Sequence, residues 1–266
     1  MSANFDKIIN LVDNDLREIN NLQKMLTNLK KLITNFNYGL AIRIVTQIEQ
    51  KVESLFPLGT DKFKVYKLEI ENLHRDFKLK FESDFIKECD KRHLSPLSGS
   101  SLKGFKLKGI INIDIDFEKS SSSIGTNCRK IKINTVKVGD IVNEIDKLYN
   151  ILFNRKFLPN EFIEELFVAY KRTSTDNIYK EVILNDVQKE LWIKKQKESF
   201  WLTYDKSIMI DYPTDEFSVD LNNLIKNKDL YTRDGHRFSL SEGQNGIVVY
   251  DDAGIFKTYK FIKFKK

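Results

Sequence analysis

Three carboxylates, Asp114, Asp116 and Glu118, stand at alternate positions of a run in which Ile115 and Phe117 intervene. Alternate side chains of an extended strand leave from one face, so the trio could converge on a divalent cation and serve phosphodiester hydrolysis. The solvent side of a half-buried strand carries charges in the same rhythm. Lys119 also follows Glu118 directly, so the acidic-x-Lys arrangement of many restriction-type nucleases is absent. A divergent metal-dependent nuclease therefore stands as the alternative reading and not the main one.

Metal ligation by sulfur and nitrogen has one seed, Cys89 and His93, four apart on an expected helix, with His74, Cys128 or His236 to complete a tetrahedron. No second paired ligand motif accompanies it, so neither a metal nor a cofactor is expected. His236 sits in Arg233-Asp-Gly-His-Arg237, where an imidazole between guanidiniums could handle phosphate. Asp234-Gly235 is equally ordinary turn chemistry. Phosphate-binding glycine loops, the Gly-x-Ser-x-Gly elbow and His-Glu-x-x-His are all missing, which removes the common nucleotide-hydrolysing, esterase and metalloprotease readings.

Lys103, Lys106, Lys108, Lys119, Arg129, Lys130, Lys132 and Lys137 gather around the same region, beside serines able to donate to phosphate. This is the best nucleic-acid candidate in the chain, although Asp114, Asp116 and Glu118 lie among these cations. The whole chain carries 44 basic and 38 acidic side chains for a net +6, mostly interspersed, so long-range attraction to polyanions is modest.

These residues hang on two kinds of element. Over residues 5–36, Ile8, Ile9, Val12, Leu16, Ile19, Leu22, Leu26, Leu29, Ile33 and Phe36 recur every three or four positions without Gly or Pro, the mark of a long amphipathic helix. Asn37-Tyr38-Gly39 offers a turn, and a second helix runs from Leu40 to a stop at Phe56-Pro57-Leu58-Gly59. Thr60 and Asp61 suit the cap of a third, in which Phe63, Ile70, Leu73, Phe77, Phe81, Phe85 and Cys89 keep helical spacing to about His93. Such helices hold together only by burying their stripes, so Leu16, Ile19, Leu22, Leu26, Leu29, Ile33, Phe77 and Phe81 are the candidate partner-binding residues.

Ser95 to Ser101 reads as a linker. Beyond it the period changes to two: Phe105, Leu107, Ile111, Ile113, Ile115 and Phe117 face one way, and Lys106, Lys108, Asn112, Asp114, Asp116 and Glu118 the other. That is a half-buried strand or strand pair. A polar loop from Ser120 to Asn127 leads to a further alternating run, Arg129 to Val138. Helices are expected at about 140–154, 159–171 and 176–199, the last with Asp176 at its cap. Short strands follow at 208–210, 237–240, 246–250 and 256–264, with a small helix over 216–226.

The expected class is α+β: a coiled-coil-like helical interaction domain over 1–94, a linker over 95–104, and a mixed domain over 105–266 ending in antiparallel strands. Hydrophobic residues at 41% and 19 Phe supply a core. Two cysteines provide no disulfide framework, no basic-then-apolar leader opens the chain, and no run of eighteen apolar residues occurs. A cytoplasmic setting without a membrane is expected. In layout, helices first and a mixed domain without ATPase motifs second, the chain resembles accessory subunits of multi-protein bacterial machines, including SMC-type ATPase complexes in genome maintenance or phage defence. The expected function is a non-catalytic interaction or scaffold subunit. Its partner is a helical protein or a second copy, with nucleic acid as the alternative.

Overall fold

The computed structural model describes residues 2–55, 61–175, 179–227 and 231–266. The expected helix stop at Phe56–Gly59 and the expected caps Thr60 and Asp176 lie outside the described residues. The chain is an α+β protein. Three helices come first: α1 (Ser2–Thr34), α2 (Tyr38–Leu55) and α3 (Asp61–Lys91). The α1–α2 turn is closed by Phe36, at φ +60°, with the amide of Asn37 donating to the Leu32 carbonyl. Gly39, expected to make that turn, lies inside α2. A Cβ there would sit 2.5 Å from the Phe117 carbonyl oxygen, so glycine lets the start of α2 abut the body of the protein.

Five antiparallel strands follow in consecutive order: β1 (Leu97–Ser100), β2 (Gly104–Leu107), β3 (Ile111–Asp116), β4 (Ser121–Gly125) and β5 (Lys130–Ile133). Two expectations are corrected here. The supposed linker at 95–104 supplies edge strand β1 and its turn into β2, and the supposed polar loop at 120–127 supplies β4, paired on both sides. Serines can line an inner strand because they are small and can bond to a nearby main chain; the buried Ser122 hydroxyl donates to the Thr135 carbonyl.

One face of this sheet is apolar, and α3 and α4 (Val138–Phe153) pack upon it. Phe81, Phe85 and Cys89 of α3 and the following Leu94 share a core with Phe105, Leu107, Ile111, Ile113 and Ile124 of the sheet and with Ile141, Val142, Ile145, Leu148 and Leu152 of α4. The core therefore runs across residue 94, where the sequence suggested a boundary. An aromatic ladder carries the connection outward, from Phe105 through Phe85, Phe81 and Phe77 to Phe36 in the α1–α2 turn, each step 4.7–5.8 Å between ring centres.

The remainder is a second core built on α5 (Pro159–Thr173), α6 (Leu184–Lys195) and α8 (Thr214–Lys226), with the short α7 (Glu198–Thr203) outside it. A three-stranded antiparallel sheet completes it, in the order β6 (Val182–Ile183), β8 (Phe256–Lys265), β7 (Arg237–Tyr250). The two expected strands at 237–240 and 246–250 are one strand, β7, whose register slips between Ser241 and Ile247. The single helix expected over 176–199 is divided. Gln196 leaves helical geometry and its side chain bonds the main chain of Ile210 in both directions, at 2.8 and 2.9 Å. Ile208–Ile210 is consequently held by that amide and a single 3-10 turn, not by a strand partner as the sequence suggested. Helix α8 joins the two cores, giving Phe217, Leu221 and Leu224 to one and Val219 to the other.

Candidate protein-docking face

Helix α2 lies between α1 and α3 and antiparallel to both. Leu22 of α1 packs with Ile48 and Val52 of α2, while Ile70 of α3 packs with Ala41 and Val45 from the other side. Lys51–Glu18 and Lys67–Glu49 ion pairs mark the two seams. The outward polar side of α2 shows Arg43, Gln47 and Gln50 to solvent.

The opposite side of this layer is apolar. On α1, residues Leu16, Ile19 and Leu26 remain 52%, 47% and 45% exposed. At 100° per residue they lie clockwise, viewed from the helix N-terminus, of the stripe that packs on α2. On α3, exposed Tyr66 and Leu73 lie anticlockwise of Ile70 and Phe77. Because α1 and α3 point the same way and flank α2 from opposite sides, both exposed stripes turn to the same side of the layer. Between them the row Ala41, Val45, Ile48 and Val52 of α2 is already buried, so the apolar surface left open is that of the two flanking stripes. A surface of this kind, apolar and helical in repeat, fits a further helix.

The other sequence-derived partner residues are used within the chain. Leu22 and Phe81 are buried, and Leu29, Ile33 and Phe77 pack at the helix junctions. Of the eight, Leu16, Ile19 and Leu26 remain free for docking. Tyr66 and Leu73 join them; Tyr66 lies four residues before Ile70, on the same stripe of α3.

Comparison of the chain with family models, with curated proteins and with solved structures finds no match.

Asp114, Asp116 and Glu118 do not form a metal centre; among the described residues no three His, Cys, Asp or Glu side chains do. Asp116 pairs with Lys119 at 3.1 Å, its carboxyl held below the usual range chiefly by the Lys119 amide. Glu118 is pulled across to Lys78 at 2.6 Å, which lowers its pKa in the same sense. Cys89 and His93 are also separated in role. His93 is exposed at a left-handed turn, whereas Cys89 is buried in the sheet core, and burial pushes its thiol up to about 12. Metal binding needs the thiolate, which that environment opposes. Cys128 is exposed, so the native chain should react with a thiol reagent at Cys128 alone and take up the second equivalent only on unfolding. Two equivalents labelled at the same rate in the native state would refute the packing assigned to Cys89.

His236 is not a phosphate base at a turn. Its ring is buried, stacked 4.7 Å from Phe167, and its backbone amide donates to the Thr232 hydroxyl at 2.9 Å. His74 is likewise enclosed near Tyr38, and burial lowers its pKa, favouring the neutral ring.

The basic cluster is divided. Lys106, Lys130 and Lys132 stand on the open face of the five-stranded sheet, with Lys103 in the β1–β2 turn and Lys137 beyond β5, all exposed. Lys108 is drawn away over the rings of Phe153 and Tyr149, at 4.6 and 5.2 Å. Arg129 is withdrawn more completely, into ion pairs with Asp215 at 2.9 Å and Glu216 at 2.7 Å. Burial works against its charge, but these two carboxylates outweigh it and hold the guanidinium pKa above its ordinary value.

This network was invisible in the sequence. Arg155 extends it from the end of α4, reaching Glu216 at 3.0 Å and Asp220 at 2.7 Å, and Asp220 accepts from the Tyr212 hydroxyl. Burial raises the pKa of both Asp220 and Tyr212. The cluster ties the five-stranded sheet and α4 to α8. Its guanidinium and carboxylate groups pair with one another, Arg155 Nε alone of them being buried without an acceptor among the described residues, which is the arrangement of a structural clamp.

Proposed function

We propose that this chain is a non-catalytic interaction subunit whose N-terminal helices dock a helical partner while the α+β body offers a second contact surface. The observation that carries this reading is the exposed apolar face of α1 and α3, made of Leu16, Ile19, Leu26, Tyr66 and Leu73. Each of these half-exposed side chains gains on the order of 1 kcal/mol on complete burial. Together they offset part of the several kcal/mol that association costs, and the partner's own buried apolar surface must supply the rest. An SMC-type ATPase complex of bacterial genome maintenance or phage defence is the kind of machine such an accessory chain would serve. A cytoplasmic setting belongs to the same proposal, supported by the free thiols of Cys89 and Cys128. No helix among the described residues is long and apolar enough to cross a membrane.

Introducing Ile19→Glu with Leu26→Glu tests the reading. Both side chains face solvent, so helix content and thermal unfolding should stay close to wild type. Stoichiometric partners recovered with the chain at native expression should fall at least tenfold. Recovery of the same partners in the same amounts would count against this face as the docking site.

A second reading has its own observation. Strand register places Lys106, Asn112, Gly125 and Lys130 in one cross-strand row and Asp114, Ser123 and Lys132 in the next, on the sheet face opposite α3 and α4. Three or four phosphate contacts there would give duplex DNA binding a log–log salt slope of about −3. Lys130→Glu with Lys132→Glu should then abolish binding, and absence of binding to DNA and RNA at low salt would dismiss this role.

A further inference from the structure

His74 of α3 is enclosed where three elements meet. The start of α2 lies on one side, with the Tyr38 ring 6.3 Å from the imidazole. The turn between β3 and β4 lies next to both: Gly39 of α2 abuts the carbonyl groups of Phe117 and Glu118, and Glu118 reaches Lys78, one turn of α3 beyond His74, at 2.6 Å. His74 is only 6% exposed, and its Nε2 is buried without a hydrogen-bond partner among the described residues. Asn37 Oδ1 and Ser120 Oγ, from the two flanking segments, are buried unpaired as well. This seam is the place where the α1–α2 pair meets the five-stranded sheet.

We infer that His74 is an acid-sensitive latch: as a neutral ring it fills the seam between the start of α2 and the β3–β4 turn, and on protonation it loosens the body's hold on α2. An imidazolium carries a proton on both nitrogens, and the seam offers Nε2 no acceptor. Burying an unpaired cation costs far more than burying a neutral ring. Burial first, and the like charge of Lys78 second, hold the His74 pKa below the ordinary 6.5. Glu118 pulls the other way and is the smallest of the three influences, its carboxylate being already paired with Lys78. From α2, Arg43 acts on Glu118 as a further cation, and Tyr38 is kept neutral by burial, which raises its pKa. Asp116 and Lys119 of the turn pair with each other.

The closed seam thus takes up the proton less readily than the opened one. Its closure is at full strength above about pH 6.5 and weakens as the pH falls through the imidazole range. Lys78 holds the Glu118 pKa below the ordinary carboxylate value of 4.5, so the Glu118–Lys78 pair stays charged while His74 titrates. The acid response in that window belongs to the imidazole. At about pH 5.5, one unit below the free imidazole value, opening is favoured by up to roughly tenfold. Because α1 carries Leu16, Ile19 and Leu26, the latch governs how that face is held on the body, whatever binds there.

Hydrogen exchange of the full chain, resolved into peptides by mass spectrometry and corrected for the intrinsic effect of pH, measures this opening. From about pH 7.5 to about pH 5.5, peptides spanning Tyr38–Ile48 and Asn112–Ser121 should lose protection roughly threefold to tenfold. His74→Phe keeps an aromatic ring and has no proton to gain. It should abolish the change and leave protection at the higher pH near wild type. An unchanged wild type, or equal acid sensitivity in His74→Phe, overturns the latch. If His74→Phe does not fold, the imidazole carbon-bound proton resonance of His74 in the wild-type chain decides the matter. A midpoint below about 6.5 is expected, and one at or above it overturns the inference. Lys78→Gln should raise that midpoint, since it removes the like charge and leaves Glu118 to the imidazolium; an unmoved midpoint overturns the assignment as well.

Discussion

Removal of residues 1–94 is expected to destroy the cooperative unfolding transition of the remaining chain, whereas removal of residues 1–60 is expected to preserve it. The shorter deletion takes away α1 and α2 and leaves α3 in place. The longer one also removes Phe81, Phe85, Cys89 and Leu94, none of which is more than 1% exposed, from the face of the five-stranded sheet. Truncating one buried phenylalanine costs about 3–5 kcal/mol, and a whole domain is stable by only about 5–15 kcal/mol. Loss of two such rings with their neighbours therefore exceeds what the sheet and α4 can hold without them. Urea unfolding followed by circular dichroism would show the difference, as a sigmoidal transition for 61–266 and a featureless slope or precipitate for 95–266. A sharp transition in 95–266 would mean that α3 is an accessory to the body and not part of its core.

That expectation reverses the one drawn from sequence, and the reason is instructive. Periodicity revealed α3 correctly from about Asp61 to Lys91, but it reports only that a helix has an apolar stripe, not what covers it. The stripe changes partner along its length: Ile70 faces α2, Phe77 sits at the junction, and Phe81 and Phe85 face the sheet. The serine- and glycine-rich stretch after it looked like a linker because local composition cannot distinguish a solvated tether from an edge strand held by register. The β1–β2 pairing, Leu97 opposite Leu107 and Gly99 opposite Phe105, supplies that register.

Where a signal was carried by alternation it was legible. Phe105, Leu107, Ile111 and Ile113 point into the core and Lys106 and Asp114 outward, with the reversal of direction at Lys108–Ile110. The candidate docking face was half legible. The stripe of α1 was plain, but which of its members are already covered depends on how α2 crosses it, and this separates Leu22 from Leu16, Ile19 and Leu26. Side chains that act through distant partners were not legible at all. Nothing near Gln196 announces its bonds to Ile210, and nothing near Arg129 announces Asp215.

The Arg129–Asp215 pair yields the second large effect, because the Asp215 carboxylate is removed from bulk water and the Arg129 side chain is only 26% exposed. Asp215 accepts from the Thr126 hydroxyl at 2.6 Å, from Arg129 Nε at 2.9 Å and Nη2 at 3.1 Å, and from the Glu216 amide at 2.8 Å. It also stands in the first turn of α8, where the helix dipole favours a negative charge. Asp215→Ala leaves the guanidinium and the Thr126 hydroxyl short of acceptors in a partly buried site, and should lower stability by about 3–5 kcal/mol. Arg129→Ala should cost a similar amount, and the double variant clearly less than the sum, since each change removes the same interaction. Glu18→Gln, which breaks the exposed pair with Lys51, should cost less than about 1 kcal/mol. Chemical denaturation of the four variants measures all of this. If Asp215→Ala shifted stability no more than Glu18→Gln, the clamp would be a surface contact, and the joining of the five-stranded sheet to α8 would have to rest on Val219 and its apolar neighbours alone.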